Sequence, residues 1–585
     1  MPWPKVNRTY LILAGILLVT FIVYLPSLNN GYTNWDDPEQ VLENGHIHEL
    51  SLSNTARLFS NFYVGMYQPV TMQVYAFLYA LGGGKAGIFH LFSLLLHLVN
   101  ILLVFILIRR FTRNHIPALI TATLFGLSPM QTESVSWISA MSNLLFTLFF
   151  LGGMITYLRY VRKPGVSDLF LTLLFFLLSL LSKPAAMTFP VLLVFTDLYY
   201  RRKFDFRLLL EKLPFFIASL VVGLIIIAAR EEAGHIIPIS GRYGIFDRAL
   251  LIAYGFSFYV SGLFIPSGLS AFHPYPGTPL PAVYYLAPLI PLMIIFMLFR
   301  LKGELRRQVL AGIIFFIVTI AIVLEFIPLG VQVVKERYVY LPGIGLYYAF
   351  AAILLYFFPR GRRGWIVPAV MLCFVVVFSL FTYQRSKTWE SSLSLWNDVL
   401  ERYPEASAAL INRGNAWQDY EDFYNAVSDY SLAIRYEPGA ADAYMNRGLA
   451  YYRMGRSSEA LNDFNRAISM GMDDASILNN RGLIKASLND FGGALADFER
   501  ALAQDPLMGE AWINRGLMLA AQGRFGEAAE AFTRAIEVGA GSAKAYYWRG
   551  MVFLQQGMTA AACRDLKAAR SAGWDIPHWP EACDP

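Results

Sequence analysis

Apolar stretches close to the thickness of a bilayer recur through the first two thirds of the chain. A helix that crosses a membrane needs about 17 to 25 predominantly apolar residues, and about eleven stretches approach that length. The pattern predicts an all-α, polytopic membrane domain over residues 1–385. The stretches cover residues 9–28, 86–108, 116–131, 138–158, 166–182, 184–200, 212–229, 282–299, 308–328, 338–358 and 365–383.

Basic residues between these stretches predict the orientation of the domain, because loops that stay in the cytoplasm carry an excess of Lys and Arg. The basic clusters fall on alternate loops only if residues 249–266 do not cross, so we interpret that stretch as re-entrant or interfacial. The N-terminus is then cytoplasmic and the chain after Phe381 lies outside. The first stretch lacks a small-x-small cleavage site and is expected to be retained. The clusters are Lys5/Arg8, Arg109/Arg110/Arg113, Arg159/Arg162/Lys163, Arg201/Arg202/Lys203, Arg300/Lys302/Arg306/Arg307 and Arg360/Arg362/Arg363.

The last third of the chain repeats with a period of 34 residues. In each unit an Ala lies twelve residues after a glycine and a large side chain lies sixteen residues after it, which predicts helical hairpins that bury their faces by stacking. The pattern resembles the tetratricopeptide repeat. It predicts five repeats over residues 407–576, preceded by a partial repeat or connecting helix over 386–406 and followed by a tail over 577–585. The glycines are Gly414, Gly448, Gly482, Gly516 and Gly550.

Each of these glycines follows an arginine, and in four units an Asp lies sixteen residues after that arginine. We interpret the recurring Arg and Asp as an ion pair between the two helices of one hairpin, with ligand binding by the arginines as the alternative. The asparagines that precede four of the arginines are expected to face the concave groove, where such arrays bind peptides or proteins. These asparagines are Asn412, Asn446, Asn480 and Asn514.

The composition agrees with a membrane protein and argues against a soluble one. Hydrophobic residues make up 56% of the 585 residues, charged residues 15%, and the mean hydropathy is +0.45. The chain before Ser407 is basic, with 31 Lys and Arg against 20 Asp and Glu, whereas the rest has 17 against 22. We find no nucleotide-sugar cradle, Gly-rich phosphate loop or zinc-type Cys/His spacing, and we expect no nucleic-acid partner.

Two of the three cysteines, Cys563 and Cys583, lie in the predicted exterior part. An oxidising compartment would allow them to form a bridge between the last repeat helix and the tail. Two free thiols are the alternative, and the sequence does not decide between them. Cys373 lies in the last apolar stretch and is expected to pack in the core.

Several ionisable residues lie in the loops that the topology places outside. Asp36 and Asp37 can supply a general base, with Glu133 as a further acid, and Asp36 and Glu133 are the candidate ligands if a divalent metal takes part. Cations at the same level can bind a phosphate whose lipid tail stays in the bilayer. The candidate lipid-phosphate-binding residues are Lys183, Arg337, Tyr338 and His273.

Each candidate also has an ordinary structural interpretation. Asp36 and Asp37 are suited to capping a short helix that begins near Pro38. Lys183 is suited to anchoring the end of a helix, although a lone Lys between apolar stretches usually pairs with an anion. His273, beside Pro274, is most often a loop histidine with its hydrogen bonds satisfied.

Several sequence blocks resemble those of a known family of membrane enzymes. They include NWDDPEQVLENGHI from Asn34, LSPMQTESVSWISAMSN from Leu127 and KERYVYLPGIG from Lys335. They are similar to blocks of bacterial membrane proteins with C-terminal tetratricopeptide repeats, and to the eukaryotic TMTC-type and other protein O-mannosyltransferases of the GT-C fold. The resemblance implies that Asp36 or Asp37 is the catalytic base and that Glu133 lies in a second active-site loop. Where the family commonly has His, His and Asp, this chain has Gln68, Ser128 and Asn143.

The resemblance and the loop chemistry together predict a membrane glycosyltransferase. It would move a sugar from a polyprenyl-phosphate donor to a hydroxyl of a protein or glycan acceptor, and the repeats would recruit that acceptor. The predicted location is a bacterial inner membrane, with the active site and repeats on the periplasmic side. The alternative is a membrane-anchored scaffold in which the repeats bind an envelope partner without catalysis.

Overall fold

The computed structural model describes residues 8–203, 205–232, 242–324, 331–359, 364–539, 542–576 and 579–583. The chain forms two compact units, Met1–Pro404 and Glu405–Pro585. Lys5 and the basic cluster Arg360, Arg362 and Arg363 lie outside the described residues.

The first unit contains seventeen α-helices within the described ranges, and the loops between them carry short 3₁₀ and π turns. The helices are α1 (Arg8–Val23), α2 (Leu52–Ser60), α3 (Pro69–Gly82), α4 (Ala86–Thr112), α5 (His115–Leu127), α6 (Thr132–Ser136), α7 (Met141–Arg162), α8 (Val166–Ser182), α9 (Phe189–Tyr199), α10 (Phe206–Glu232), α11 (Ile245–Gly262), α12 (Ala282–Leu286), α13 (Leu289–Arg300), α14 (Gly303–Ile320), α15 (Gly343–Phe357), α16 (Ile366–Thr388) and α17 (Ser392–Arg402).

Six helical segments in the described part of the chain are long and apolar enough to cross a membrane, fewer than the eleven predicted spans. The other five predicted spans are apolar helices of 10–17 residues. Prolines shorten several of them, because the ring removes a backbone donor and disfavours helix in the preceding residue. Pro129 follows α5, Pro184 follows α8 and Pro342 precedes α15. The six segments are Ala86–Thr112, Ile138–Arg162, Phe206–Ala229, Ala282–Arg300, Gly303–Val323 and Ile366–Thr388.

The loops that the sequence assigns to the outer side contact one another at one end of the helices. Asp37 hydrogen-bonds to Ser139, and Arg337 forms an ion pair with Glu133. Residues flanking α11 also meet there, since Tyr243 Oη donates to Pro276 O at 2.6 Å. Whether the stretch around α11 crosses a membrane stays a prediction.

The opposite end of the helices carries a separate ionic network. Arg202 pairs with Asp197 at 3.0 Å and with Glu211 at 3.1 Å, and Lys212 pairs with the same two carboxylates at 3.0 and 3.2 Å. These contacts tie α9 to α10. Arg202, which the sequence presents only as a marker of orientation, therefore also has a structural role.

The second unit consists of five helical hairpins in series. In each hairpin the glycine of the first helix lies under the large side chain of the second, so a side chain at the glycine would collide with it. A Cβ at Gly448 would lie 2.8 Å from the Phe464 ring, and one at Gly516 would lie 2.7 Å from the Phe532 ring. The hairpins pair α18 (Ser407–Asp419) with α19 (Phe423–Tyr436), α20 (Ala441–Arg453) with α21 (Ser457–Ser469), α22 (Ala475–Ser487) with α23 (Phe491–Gln504), α24 (Gly509–Ala521) with α25 (Phe525–Glu537), and α26 (Ser542–Gln555) with α27 (Thr559–Ser571).

The recurring arginines form the ion pairs expected from their spacing. Arg447 contacts Asp463 of its own hairpin at 2.8 Å and also donates to Ser431 of the preceding hairpin. Arg515 differs because Ala531 occupies the Asp position, and it contacts Glu499 of the preceding hairpin at 3.4 Å. The other three pairs are Arg413–Asp429, Arg481–Asp497 and Arg549–Asp565.

Three of the four repeat asparagines donate hydrogen bonds within the array, which contradicts the predicted groove role only for the buried Asn514. For the half-buried Asn412 and Asn446 that role stays a prediction. Asn446 Nδ2 donates to Asn415 Oδ1 at 3.0 Å, and Asn514, which is buried, donates to Asn479 at 2.9 Å. Asn412 donates to Ala408 O at 2.8 Å. Asn480 is half-buried, and its role in a groove stays a prediction.

The array ends in a covalent closure. Cys563, in the last helix, forms a disulfide with Cys583 of the tail, and their Cα atoms lie 5.2 Å apart. The bridge holds the turn Glu581–Cys583 against the last helix of the fifth hairpin.

Gly482→Ala tests the packing of the repeats. A Cβ at Gly482 would lie 2.6 Å from the Phe498 ring, so we expect the free energy of unfolding of this hairpin to fall by about 1–3 kcal/mol. Gly492→Ala is the matched control, because its Cβ meets no atom within 4 Å and Ala favours helix. Amide hydrogen exchange of α22 and α23 in the full-length protein measures both effects. Equal protection in the two variants would contradict the packing.

Candidate active site

A cavity of about 330 Å³ lies where the outer loops meet. Asp36 is its carboxylate, and Lys183, Lys335 and Arg337 are its cations. The loop after α1, the start of α7, the α8–α9 turn and the loop before α15 each contribute to the wall. Four of the predicted site residues, Asp36, Lys183, Arg337 and Tyr338, therefore come together.

Asp36 is half-buried and opens on the cavity. Its carboxylate has no hydrogen-bond or ion-pair partner among the residues that the structure describes. Burial raises the pKa of Asp36 to about 6, and the neighbouring Asp37 acts in the same direction, whereas Arg337 and Lys335 oppose the change. A carboxylate with a pKa near 6 is still ionised at neutral pH and is a stronger base than an ordinary Asp.

Asp37 has a structural role, which makes its prediction as a catalytic residue wrong. Only 1% of the residue is exposed, and its carboxylate accepts bonds from the backbone and hydroxyl of Thr33, at 2.8 and 3.0 Å, and from the backbone and hydroxyl of Ser139. Although it occupies the N-cap position of the turn Pro38–Leu42, its side chain does not cap that turn. It fixes the first outer loop to the loop between α6 and α7.

Glu133 also lies outside the cavity. It is fully buried and is not part of the cavity wall. One oxygen accepts the backbone N–H of Arg337 at 2.8 Å, and the other pairs with the guanidinium of Arg337. The predicted catalytic role of Glu133 is therefore wrong, because both of its oxygens hold Arg337 in place.

The three cations surround a single tyrosine ring. Lys183 Nζ, Lys335 Nζ and the Arg337 guanidinium carbon lie 5.3, 5.4 and 5.4 Å from the centroid of Tyr338. The guanidinium of Arg337 also lies 4.9 Å from the ring of Trp137. The negative faces of these rings stabilise positive charges that burial would otherwise disfavour. Among the described residues, the cavity wall therefore carries three cations and one carboxylate, that of Asp36.

Lys183 is held by Asn143, near the start of α7. Nζ of Lys183 donates to Oδ1 of Asn143, and this neutral partner leaves the charge of the lysine uncompensated. Burial lowers the pKa of Lys183 to about 7, and Arg337 and Lys335 contribute to the decrease, whereas Glu133 opposes it. The uncompensated charge favours an anionic ligand.

His273 lies behind the wall and not in the cavity, so its predicted role in donor binding is wrong. It is buried, its Nδ1 shares a hydrogen bond with Tyr403 Oη at 2.9 Å, and its Nε2 lies 3.5 Å from Glu336. Glu336 in turn binds Arg385 at 3.1 Å. This network fixes the backbone that carries Lys335 and Arg337.

Lys335, Trp35 and Trp137 were missed by sequence reasoning. Lys335 is two residues from Arg337, a spacing that could have marked it. The rings of Trp35 and Trp137 stack at 5.0 Å although the residues are far apart in the chain, and no local signal in the sequence indicates that pairing.

The residues present do not fit a metal held by Asp36 and Glu133. Arg337 already occupies both oxygens of Glu133. Among the described residues no group of three or more His, Cys, Asp or Glu side chains is arranged to hold a metal ion.

Tetratricopeptide-repeat family models match residues 441–470, 479–542 and 519–575. Protein O-mannosyl-transferase Tmtc1 of Drosophila melanogaster is 28% identical over 184 residues, which cover 30% of this chain and 21% of the fly protein. Human protein O-mannosyl-transferase TMTC3 is 27% identical over 166 residues, which cover 26% of this chain and 17% of the human protein. This chain is therefore similar to these relatives over less than a third of its length, and its last part matches tetratricopeptide-repeat models. It matches about a fifth of the length of these curated TMTC relatives.

Solved structures of repeat proteins are similar to part of this chain. YrrB, a TPR protein with an unusual peptide-binding site, is 25% identical and covers 30% of this chain and 92% of its own, with a TM-score of 0.28. MamA is 20% identical and covers 27% of this chain and 92% of its own, with a TM-score of 0.26.

Asp37→Asn tests the structural role of Asp37. The amide keeps one acceptor oxygen and places an NH₂ group against the donors of Thr33 or Ser139, so buried hydrogen bonds are lost. We expect the free energy of unfolding to fall by about 1–3 kcal/mol, measured by thermal unfolding in detergent. A variant as stable as the wild type would contradict the role.

Asp36→Asn should change stability in the opposite direction, in a pH-dependent way. Because the folded protein raises the pKa of Asp36 from 3.8 to about 6, folding favours the protonated carboxyl. This contribution is complete below about pH 4 and is lost as the pH rises through about 6. The variant should therefore be more stable than the wild type above pH 6, by on the order of 1 kcal/mol after solvent screening, and equally stable near pH 4. Unfolding midpoints across this range measure the difference, and a constant difference would contradict the burial of the charge.

Proposed function

We propose that this chain is a membrane glycosyltransferase that moves a sugar from a lipid-phosphate donor to a hydroxyl group. The observation that carries the proposal is the single cavity in which the unpartnered carboxylate of Asp36 faces Lys183, Lys335 and Arg337. A base and a cationic phosphate site are the two parts that such a transfer needs.

Asp36 would act as the base. As the acceptor oxygen forms its bond to the anomeric carbon of the sugar, the carboxylate takes the hydroxyl proton. The bond between that carbon and the phosphate oxygen breaks, and its electron pair leaves with the phosphate. The raised pKa of Asp36 brings the base nearer to neutral pH, where proton transfer is more favourable.

The three cations would stabilise the departing lipid phosphate, which gains a negative charge when the bond breaks. Arg337 presents a guanidinium suited to two phosphate oxygens, while Lys183 and Lys335 act as point charges. Glu133 contributes by holding Arg337 and not by contacting substrate. The proposed donor is a polyprenyl-phosphate sugar whose tail lies in the surrounding lipid, and no step is assigned to a metal.

The names of the TMTC relatives favour a protein hydroxyl as the acceptor and a hexose such as mannose as the sugar. We propose that the repeats recruit this acceptor on the outer side of a bacterial cytoplasmic membrane. The disulfide between Cys563 and Cys583 supports an oxidising compartment for the repeats.

Asp36→Asn is the decisive variant for the proposed chemistry. It keeps the shape of the side chain and removes the base, so we expect the rate of transfer to fall by roughly 10²–10⁴-fold while the protein stays folded and membrane-inserted. Glu39→Gln, an exposed carboxylate three residues away, is the matched control and should keep its rate. Glycan analysis of acceptors from strains with each variant measures the effect.

The pH dependence provides a second measurement within the same experiment. The active form needs Asp36 ionised and Lys183 protonated, so the rate should be greatest between about pH 6 and 7. Unchanged acceptor glycans in Asp36→Asn would overturn the proposal and favour a membrane scaffold.

A further inference from the structure

Helix α17 lies against the active site, although its sequence resembles the second helix of a tetratricopeptide hairpin. It begins with a capping box between Ser391 and Ser394 and belongs to the same compact unit as the cavity. Its side chains Leu395, Trp396 and Val399 are buried.

The N-terminal half of α17 contacts the loop that carries Asp36. Trp396 Nε1 donates to Oδ1 of Asn34 at 2.8 Å, and the backbone N–H of Asn34 donates to Ser392 Oγ at 2.9 Å. The ring of Trp396 lies 5.2 Å from that of Trp35. Directly before the helix, Glu390 O accepts the N–H of Gly31 at 3.0 Å. The residues immediately before Asp36 are therefore bound to α17.

The C-terminal end of α17 contacts the support of the cation-bearing loop. Tyr403, the residue that follows the helix, shares its hydroxyl with Nδ1 of His273 at 2.9 Å. The backbone oxygen of His273 accepts the N–H of Val333 at 3.0 Å, and its Nε2 faces Glu336. Val333 and Glu336 lie on either side of Lys335, so this end of the helix supports the wall opposite Asp36.

We propose that α17 is a positioning element of the active site, with Trp396 holding the base loop and Tyr403 holding the cation loop. The inference rests on the proposed function for its kinetic consequences. Asp36 and Arg337 are 301 positions apart in the chain, and one short helix binds the supports of both. The separation of Trp396 and Tyr403 along the helix therefore sets the distance between the base and the phosphate site. A displacement near 1 Å can lower the rate by up to about 10²-fold.

Removing the hydrogen-bonding group of Trp396 or that of Tyr403 should affect the kinetics differently. Trp396→Phe keeps an aromatic ring and loses the bond to Asn34, so kcat should fall on the order of tenfold with little change in the KM for the donor. Tyr403→Phe loses only the hydroxyl that binds His273, so the donor KM should rise severalfold with a smaller change in kcat.

Trp389→Phe is the matched control for the loss of an indole. Trp389 is fully buried and stacks on Trp137 at 5.4 Å, but its Nε1 has no hydrogen-bond partner among the described residues. We expect its kcat and KM to stay within about twofold of the wild-type values. If α17 had only a structural role, Trp396→Phe and Tyr403→Phe would lower the unfolding temperature and leave kcat and KM unchanged.

Amide hydrogen exchange on the full-length protein in nanodiscs tests the positioning without any assay of transfer. Trp396→Phe should increase exchange in residues 31–37, and Tyr403→Phe should increase it in residues 332–338, with each change confined to its own loop. Exchange that is unchanged, or that rises uniformly in both variants, overturns the proposed positioning.

Binding of a polyprenyl phosphate in the same nanodiscs separates the two proposals. A wild-type protein that neither binds this probe nor transfers sugar refutes the glycosyltransferase, while the exchange pattern still decides whether α17 holds the two loops. Both variants could instead show the expected exchange pattern and normal transfer. The loops would then be held by α17 without their spacing limiting the reaction, and the kinetic part of the inference would be overturned.

Discussion

The buried ion pair between Glu133 and Arg337 is the interaction on which the site depends. Both side chains are largely removed from water, where an unpaired charge is strongly destabilising. Glu133 therefore fixes the guanidinium and the backbone N–H of Arg337, and with them the turn Glu336–Val339. Lys335, directly before this turn, and Tyr338, within it, are thereby placed on the cavity wall. The neighbouring Glu336 forms an ion pair with Arg385. The consecutive residues Glu336 and Arg337 are therefore each anchored to a different partner.

Asp36 and Asp37, in the first outer loop, have different roles because only Asp37 is fully buried. Asp37 is fully buried, and a carboxylate in that position must accept hydrogen bonds from every side. Asp36 lines the cavity, its oxygens have no hydrogen-bond partner among the described residues, and its pKa is raised to about 6. One aspartate thus gives the loop its shape, and its neighbour remains available for chemistry. The folded loop leaves Asp36 destabilised in its ionised form, as is common for groups that act as bases.

The repeat unit depends on a simpler constraint, which is the close approach of two helices at a glycine. The glycine and the large side chain that packs on it are sixteen residues apart in every hairpin. Because each hairpin needs this pair, the pair recurs every 34 residues in the sequence. Arg515 is predictable from the period only in part. The absence of an Asp sixteen residues later predicts that its ion pair differs, but its contact with Glu499 depends on the stacking of the preceding hairpin.

The sequence by itself determined the helical class, the positions of the apolar helices, the 34-residue repeats with their Arg–Asp pairs, and three charged residues of the cavity. These features follow from local periodicity and from the cost of placing charges beside apolar stretches. Only the tertiary structure decided that Glu133 and His273 support the wall from behind, that Asp37 is structural, that the repeat asparagines bond to their neighbours, and that Trp35 and Trp137 stack. Those outcomes depend on which face of each loop is buried when distant segments meet, and a residue type or spacing along the chain does not encode that choice.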